Sequence, residues 1–139
     1  MKIKLLSPSA RLPSKQHEGD AGFDLYSPES LVLPPGSRYK IKLGIAVEIS
    51  ADDVILIQGR SGHAVNVGLT TIGNVIDSSY RGEISVIVIN LGQTHASIAQ
   101  GERVAQLLIM RLGDQSLDVV EQLAKTTRDA SGIGSSGKF

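Results

Sequence analysis

The chain has 139 residues, enough to bury on the order of two-thirds of its unfolded surface in one domain. Its 14 basic and 14 acidic residues cancel, which argues against a nucleic-acid surface, and the lack of Cys excludes disulfides and thiolate metal sites. The apolar piece at residues 3–6 is too short for a signal peptide or a membrane-spanning helix. We therefore expect a soluble protein, cytoplasmic or otherwise intracellular, with no membrane partner.

The distribution of turn residues and apolar runs predicts an all-β fold. Gly occurs 15 times and Pro 5 times, and both punctuate short runs rich in Val and Ile. Residues 2–6 alternate Lys with apolar side chains, which predicts a half-buried strand at the edge of a sheet. Further along, Phe23 and Leu25 share one face of a strand, and Asp24 lies on its polar face.

The middle of the chain predicts longer strands joined by tight turns. Residues 38–49 are predicted to form a strand that Gly44 interrupts, as glycine does at a bulge. Residues 54–60 are predicted to form the next strand. Ser61 is then expected to cap a single helical turn.

Two apolar runs flank the segment GNVIDSSYRGE, residues 73–83, which predicts a tight reversal between two strands. Apolar side chains fall on both faces of these strands, so a second sheet or another subunit is expected to cover them. Residues 104–112 are predicted to form another strand, with a short buried helix as the alternative that composition alone allows, and residues 115–125 fit either a helix or a strand. We predict one β-domain, residues 1–125, followed by a flexible glycine- and serine-rich tail, residues 126–139.

Asp77 and Tyr80 are the candidate functional residues of the reversal. A carboxylate placed where a strand ends can face a pocket, although an acid before Ser-Ser commonly bonds its own backbone instead. Tyr80 supplies a flat face for a sugar or a base, and Gly73 lets the backbone approach a ligand closely.

Arginines in turn-like contexts supply candidate anion-binding groups. Arg60 and Arg128 lie beside glycines and serines that can cradle an anion, whereas Arg81 is expected to be structural. Gln106 stands in an apolar run, so it either finds partners in the core or lines a pocket. Asp24 is a candidate for holding hydrated Mg²⁺, since hard cations choose carboxylates and phosphates. The three histidines have no metal-binding spacing and are expected at the surface: His17, His63 and His95.

Five segments, taken in order, resemble the five motifs of the homotrimeric deoxyuridine triphosphatase family. They are AGFDL at 21–25, GRSG at 59–62, GNVIDSSYRGE at 73–83, GERVAQL at 101–107 and RDASGIGSSG at 128–137. One such match carries little weight. Five in order at suitable intervals are specific, and they cover the chain nearly end to end.

The resemblance implies a distorted jelly-roll β-sandwich of the dUTPase type with little helix. It implies a homotrimer with active sites at subunit interfaces, each closed by a C-terminal tail. The implied activity is hydrolysis of dUTP to dUMP and pyrophosphate, with Mg²⁺ on the triphosphate. Phosphoryl transfer asks a protein mainly to position a water and to balance charge, which the candidate residues can do.

The same resemblance implies catalytic roles for two residues. Asp77 matches the carboxylate that activates a water for in-line attack on the α-phosphorus, and Gln106 matches the residue that helps place this water. Tyr80 matches the ring that packs on the deoxyribose and leaves no room for a 2′-hydroxyl. Asp24 matches the acid that contacts the metal through water.

The resemblance also implies the residues that bind the phosphates and the base. The phosphate-binding turn consists of Arg60, Ser61 and Gly62. The tail residues that close on the γ-phosphate end are Arg128, Gly134, Ser135 and Ser136. Uracil is read by backbone groups of Gly73, Asn74, Val75 and Ile76. Ile133 stands where the family usually has a Phe over the uracil, and the loss of base stacking, worth roughly 1–3 kcal/mol, predicts weaker tail closure.

Two other functions remain as alternatives. A dCTP deaminase of the same superfamily would need contacts that accept cytosine, and the Asp-containing third motif with a full glycine-serine tail favours the phosphatase instead. A non-catalytic nucleotide-sensing regulatory protein would use the same fold. The intact set of five motifs argues against lost catalysis.

Overall fold

The computed structural model describes residues 1–114, 116–132 and 135, and it is nearly all β, as predicted. It contains one helix, α1 (Ser61–Val67), and within the described residues no helix is long and apolar enough to cross a membrane. In chain order the strands are β1 (Lys2–Leu5), β2 (Phe23–Tyr26), β3 (Leu31–Leu33), β4 (Arg38–Lys42), β5 (Ile45–Glu48), β6 (Asp53–Gln58), β7 (Leu69–Ile72), β8 (Val75–Ile76), β9 (Ser85–Asn90), β10 (Ala96–Ile98) and β11 (Arg103–Arg111). These strands fit the expected jelly-roll type.

β11 is a central strand of the largest sheet. The four-stranded sheet has the order β2, β11, β6, β8, and the three-stranded sheet has the order β4, β9, β7. Two antiparallel pairs, β1 with β5 and β3 with β10, complete the described strands. Because β2 pairs with β11, Gln106 lies directly opposite Asp24 although the two residues are far apart in the sequence.

The inner faces of these sheets share one apolar core. Every second residue of β9 is buried, as the alternation of side chains across a strand predicts. The largest fully buried side chains are aliphatic apart from Asn90. The Asn90 amide nitrogen donates to the carbonyls of Leu33 (2.9 Å) and Thr94 (2.8 Å), so this buried polar group is satisfied.

Gly44 is the point at which the chain changes sheets, rather than a bulge within one strand. Before it β4 pairs with β9, and after it β5 pairs with β1. Its φ of 68° is in the left-handed region, and a Cβ there would lie 2.9 Å from the Cβ of Ala10. Its amide donates to Glu83 Oε1 at 2.9 Å, which ties this corner to the segment 73–83.

The segment 73–83 connects β7 to β9, and these two strands pair antiparallel, as the predicted reversal requires. Within the segment the chain also visits the other sheet, which was not predicted. β7 pairs with β9, whereas β8 pairs with β6 at the edge of the four-stranded sheet. Gly73, with φ 66°, makes the step between them. The turn that follows is closed by the Tyr80 amide, which donates to the Asp77 carbonyl at 3.1 Å.

Three further predictions have clear outcomes. Residues 104–112 lie largely in β11, so the strand prediction is correct. Ser61 does not cap α1, because Arg60 occupies the cap position and no side chain bonds the free amides there. The described residues 116–125 form neither a helix nor a strand, and their apolar side chains find no partner: Leu117 is 94% exposed.

The three-stranded sheet is covered fully on one face only. Val86 and Val88 are buried, whereas Ile87 and Ile89 on the opposite face are half-buried and Ile72 is exposed. The expected covering of both faces is therefore incomplete within a single chain.

Candidate active site

Residues at β2, at β11 and at the start of α1 surround a pocket of about 290 Å³, here called the arginine pocket. Its lining residues are Gln16, His17, Asp20, Ala21, Gly22, Asp24, Arg60, Ser61, Gly62, Arg103 and Gln106. The pairing of β2 with β11 brings Asp24 beside Gln106, and the end of β6 delivers Arg60 to the same place. The structure thus brings together five predicted site residues: Asp24, Arg60, Ser61, Gly62 and Gln106.

Asp24 pairs with two arginines in this pocket. Its Oδ1 lies 3.6 Å from Arg60 Nε and its Oδ2 lies 3.4 Å from Arg103 Nη1. Arg60 Nη1 also donates to the Arg103 carbonyl at 3.1 Å. Guanidinium groups suit phosphate oxygens, so the pocket offers two anion-binding groups whose charge is partly balanced by one carboxylate.

Gln106 lies close against Gly22, so a side chain at residue 22 would displace it. A Cβ at residue 22 would lie 2.9 Å from Gln106 Oε1 and 3.2 Å from Gln106 Cβ. Gln106 is half-buried and lines the pocket. Of the two alternatives for this residue, core satisfaction and pocket lining, the structure therefore favours pocket lining.

The loop of residues 14–20 forms one wall of the arginine pocket. Ser14 makes an isolated β-bridge with Asp24, whose amide donates to the Ser14 carbonyl at 2.8 Å. At the other end of the loop, Asp20 Oδ2 accepts hydrogen bonds from the amides of Gln16 (3.0 Å) and His17 (2.8 Å). The hydrogen bond from the His17 amide is the main cause that lowers the pKa of Asp20 below its usual value, because it favours the ionised form. The loop is therefore clamped by a carboxylate.

A second pocket, of about 180 Å³, lies beside the segment 73–83 and is here called the turn pocket. Its lining residues are Lys40, Val75, Ile76, Asp77, Tyr80, Glu83, Ser85 and Ile87. Within the described part of the chain, no group makes a hydrogen bond or an ion pair with the Asp77 carboxylate. The alternative in which this acid bonds its own turn is therefore not what the structure shows.

Tyr80 is held at the turn pocket by its own turn. Its hydroxyl donates to the Glu83 carbonyl at 3.1 Å, and a Cβ on Gly82 would overlap the hydroxyl and the ring. Arg81 Nη1 donates to the carbonyls of Ser78 (2.6 Å) and Tyr80 (2.9 Å), which agrees with its predicted structural role. The ring thus has a fixed place with 45% of Tyr80 exposed.

Asp77 and Gln106 line different pockets, and β6 separates their strands. Gln106 of β11 lies opposite Gln58, whereas Asp77 follows Ile76 of β8, which lies opposite Ile55. One chain therefore does not bring the two side chains together.

The segment expected to read uracil is divided as well. Val75 and Ile76 line the turn pocket, whereas Gly73 and Asn74 line neither of the two pockets. The Asn74 carbonyl is already used, because it accepts a hydrogen bond from the Ile57 amide at 2.8 Å.

The predicted tail residues that the structure describes lie apart from both pockets. Arg128 is exposed, and its Nε donates to the Ser131 carbonyl at 3.0 Å. Ser135 is exposed as well, and its amide donates to the Gly132 carbonyl at 3.2 Å. Three other predicted contacts lie outside the described residues: Ile133, Gly134 and Ser136.

Arg103 is the main pocket residue that the sequence predictions missed. It stands in GERVAQL, three residues before Gln106. The motif match that identified Gln106 could therefore have identified Arg103 as well. Gln16, His17 and Asp20 had no such signal, since only the fold of the loop brings them to the pocket.

His63 is not the free surface residue that was predicted. Its Nε2 lies 2.9 Å from Glu102 Oε1, and its side chain is 17% exposed. The Glu102 Oε2 accepts a hydrogen bond from the Ala99 amide at 2.8 Å. Glu102 therefore links α1 to the turn that precedes β11.

Asp24 is well placed to hold a hydrated Mg²⁺ together with a substrate. Among the described residues, no group of three or more His, Cys, Asp or Glu side chains could hold a metal ion. Mg²⁺ usually keeps several waters and uses one or two carboxylates with substrate phosphates. A pocket in which Asp24 lies beside Arg60 and Arg103 fits this mode.

Comparison with known proteins identifies the family of the chain. The dUTPase family model matches residues 9–137. The deoxyuridine 5′-triphosphate nucleotidohydrolase of Wolinella succinogenes is 44% identical over 142 residues, covering 99% of this chain and 95% of the relative. The corresponding protein of Mycobacterium marinum is 45% identical over 142 residues, covering 95% of this chain and 91% of the relative.

Solved structures of phage dUTPases are similar as well. The dUTPase of Staphylococcus bacteriophage 80alpha with dUpNHpp has a TM-score of 0.91 at 30% identity, covering 98% of this chain and 97% of that chain. A mutant dUTPase from phage phi11 of S. aureus, whose structure reveals the coordination of a structural Mg(II) ion, has a TM-score of 0.81 at 28% identity, covering 87% and 96%. Sequence and fold agree over nearly the whole chain. The chain therefore belongs to the dUTPase family.

Proposed function

We propose that this hydrolase converts dUTP to dUMP and pyrophosphate with a water that Asp77 activates. The observation that carries the proposal is the Asp77 carboxylate, which is exposed beside the turn pocket and is bound by no other described residue. A general base must lie within hydrogen-bond reach of the proton it takes, and an unbonded carboxylate at a pocket meets this need. We expect the enzyme to act in the cytoplasm or another intracellular compartment.

In this mechanism Asp77 accepts a proton from the water while the water oxygen bonds to the α-phosphorus. The bond between the α-phosphorus and the oxygen that bridges to the β-phosphorus breaks in line, and pyrophosphate leaves with the electron pair. The Gln106 carboxamide helps to place the water. Positioning and charge balance account for most of the catalysis in such reactions, so no covalent intermediate with the protein is needed.

Tyr80 and the segment that includes β8 are the proposed nucleoside contacts. The Tyr80 ring packs on the deoxyribose, and a ring held by the Glu83 carbonyl leaves no space for a 2′-hydroxyl. β8 is at the edge of its sheet, so backbone groups on one side of it have no strand partner within the described chain. The residues proposed to read uracil through backbone groups are Gly73, Asn74, Val75 and Ile76.

The arginine pocket is the proposed triphosphate site. Arg60, Ser61 and Gly62 supply donors to the phosphates, and Arg103 adds a second guanidinium. Asp24 would hold Mg²⁺ through water, and the dUTPase family generally uses this ion. Bound there, Mg²⁺ would neutralise charge on the phosphates.

We propose a homotrimer in which the arginine pocket of one subunit meets the turn pocket of another. This assembly is supported by the separation of Asp77 from Gln106 in the single chain, because the reaction needs both at one phosphorus. Exposed apolar side chains support it too, since such groups commonly mark protein interfaces. Leu117, Val119 and Leu123 are 94%, 103% and 87% exposed.

The β-domain of residues 1–125 and the tail of residues 126–139 have separate roles in the proposal. The tail closes over an active site, and Arg128 has guanidinium donors besides its bonded Nε for the γ-phosphate. The other proposed tail contacts are Ile133, Gly134, Ser135 and Ser136. Ile133 offers no aromatic ring for stacking on the base, so closure is expected to be weaker than with a Phe.

A panel of dUTP, dTTP, dCTP and UTP, each with and without Mg²⁺, tests this function. We expect pyrophosphate release from dUTP alone. Ammonia release from dCTP would indicate a deaminase instead. Tight binding of dUTP without any release of pyrophosphate would indicate a nucleotide sensor, and either result would overturn the proposal.

The Asp77→Asn variant tests the base directly. The substitution keeps the shape of the side chain and removes its basicity, so kcat is expected to fall by about 10²- to 10⁴-fold while dUTP still binds. Asp52→Asn, at an exposed acid outside both pockets and outside residues 116–125, is the matched control and should keep wild-type turnover, because its only ion pair within the described chain is the exposed one with Arg111. A near-wild-type kcat in Asp77→Asn would show that another group activates the water.

A further inference from the structure

His17 lies at the arginine pocket but has no role in the mechanism proposed above. Its backbone amide is already bound to Asp20 Oδ2 at 2.8 Å, so the imidazole is the part of the residue that remains for a ligand. Within the described chain, this imidazole makes no hydrogen bond and no ion pair. The imidazole of His63, by contrast, is bound to Glu102.

The loop that carries His17 is fixed by side chains at its start. Ser14 Oγ and the Tyr26 hydroxyl lie 2.6 Å apart, and Gln16 Nε2 donates to both, at 3.0 Å and 3.2 Å. The guanidinium of Arg11 lies over the Tyr26 ring, 4.2 Å from its centroid. A group that is already held in place loses little freedom when it contacts a ligand, which favours binding.

The register of the strands places the start of this loop across β2 from Gln106. Gln106 pairs with one edge of β2 at Asp24, and Ser14 is bridged to Asp24 at the other edge. The loop therefore begins two strand spacings, about 10 Å, from Gln106. The proposed function puts the α-phosphorus beside Gln106, and His17 lines the same pocket as Arg60 and Arg103 at a distance from Gln106. We therefore assign the loop to the phosphates beyond the α-phosphorus.

We propose that the His17 imidazole binds the β- and γ-phosphates of the substrate and, after the reaction, the pyrophosphate product. This inference rests on the proposed function, because it assigns one more donor to the same triphosphate. An imidazole N–H donates to a phosphate oxygen in either protonation state. It adds to the donors of Arg60 and Arg103, while Asp20 and Asp24 are the acids of the same pocket.

Binding of pyrophosphate and of dUMP, each measured by titration calorimetry, tests the contact, because only pyrophosphate carries the leaving group. In His17→Ala the Kd of pyrophosphate and the KM of dUTP are expected to rise about tenfold, the loss typical of a hydrogen bond to a charged group. The Kd of dUMP and kcat should not change. His17→Asn keeps an N–H donor and should recover part of the loss.

His95→Ala is the matched control, since it removes an exposed imidazole outside both pockets. Unchanged pyrophosphate binding in His17→Ala would overturn the proposal. An equal loss of pyrophosphate and dUMP binding would overturn it too, because it would indicate that the loop is disturbed as a whole. Failure of the proposed function would be recognised by a different result, namely the absence of dUTP turnover in the wild-type protein.

Discussion

Two glycines leave the space in which proposed functional side chains lie. Gly22 borders Gln106 in the arginine pocket, and Gly82 borders the Tyr80 ring at the turn pocket. Neither glycine has a positive φ, so neither is needed for a left-handed backbone. Both are needed because a methyl group would occupy the place of the neighbouring side chain.

The Gly82→Ala variant tests this at the turn pocket. The added methyl overlaps the Tyr80 hydroxyl and ring, so the ring must move. A displacement of about 1 Å can cost on the order of 10²-fold in rate, and we expect such a fall in kcat/KM for dUTP together with weaker discrimination against UTP.

Gly113→Ala is the control for this substitution, because nothing lies within 4 Å of a Cβ there. Gly113→Ala should leave kcat/KM for dUTP and the discrimination against UTP unchanged. Full discrimination against UTP in Gly82→Ala would show that Tyr80 does not exclude the 2′-hydroxyl.

At the scale of elements, local patterns predicted where strands lie, but the only pairing that they predicted correctly is that of β7 with β9. Alternation located β1, and the apolar run at 104–112 located most of β11. The sheet change at Gly44 and the pairing of β8 with β6 were not predictable, because they depend on contacts between distant residues. The ion pair of Asp24 with Arg103 joins residues 79 apart, and no local spacing signals such a pair.

The loop of residues 14–20 should respond to acid. The pKa of Asp20 is lowered in the folded protein, chiefly by the His17 amide, so the clamp is present at neutral pH and is lost only as pH falls through that lowered value. In NMR spectra, the amide signals of Gln16 and His17 are expected to titrate with a midpoint below about 3.9, the usual value for Asp.

Asp20→Asn should abolish this titration, since its side chain carries no ionisable group. A midpoint at or above the usual Asp value would mean that the two amides do not stabilise the carboxylate in solution.

At the scale of the whole molecule, the five motifs predicted which residues belong to the site. They did not predict that these residues lie in two separate pockets of one chain. The arginine pocket unites residues from three motifs and the turn pocket holds a fourth. Only the folded chain reveals that these two groups lie apart, and this separation is the strongest support for the proposed shared site.

Trimers assembled from two different variants test whether each active site is shared between subunits. Asp77→Asn chains and Arg60→Ala chains should each be nearly inactive alone, because each lacks one half of every site. After unfolding and refolding together in equal amounts, random association of a symmetric trimer should restore roughly a quarter of the sites. No recovery at any mixing ratio would show that each chain completes its own site, and each variant refolded alone is the control.

The position of β11 has a consequence for synthesis of the protein. It is the last strand along the described chain, yet it lies between β2 and β6 in the largest sheet. On the ribosome, β2 has no partner strand until residues 103–111 have emerged, so pairing across the sheet is late and non-local. The same event delivers Arg103 and Gln106 beside Asp24. A nascent chain therefore acquires the centre of its sheet and two residues of the arginine pocket in one step, and nucleotide binding is expected only after residue 111 has emerged.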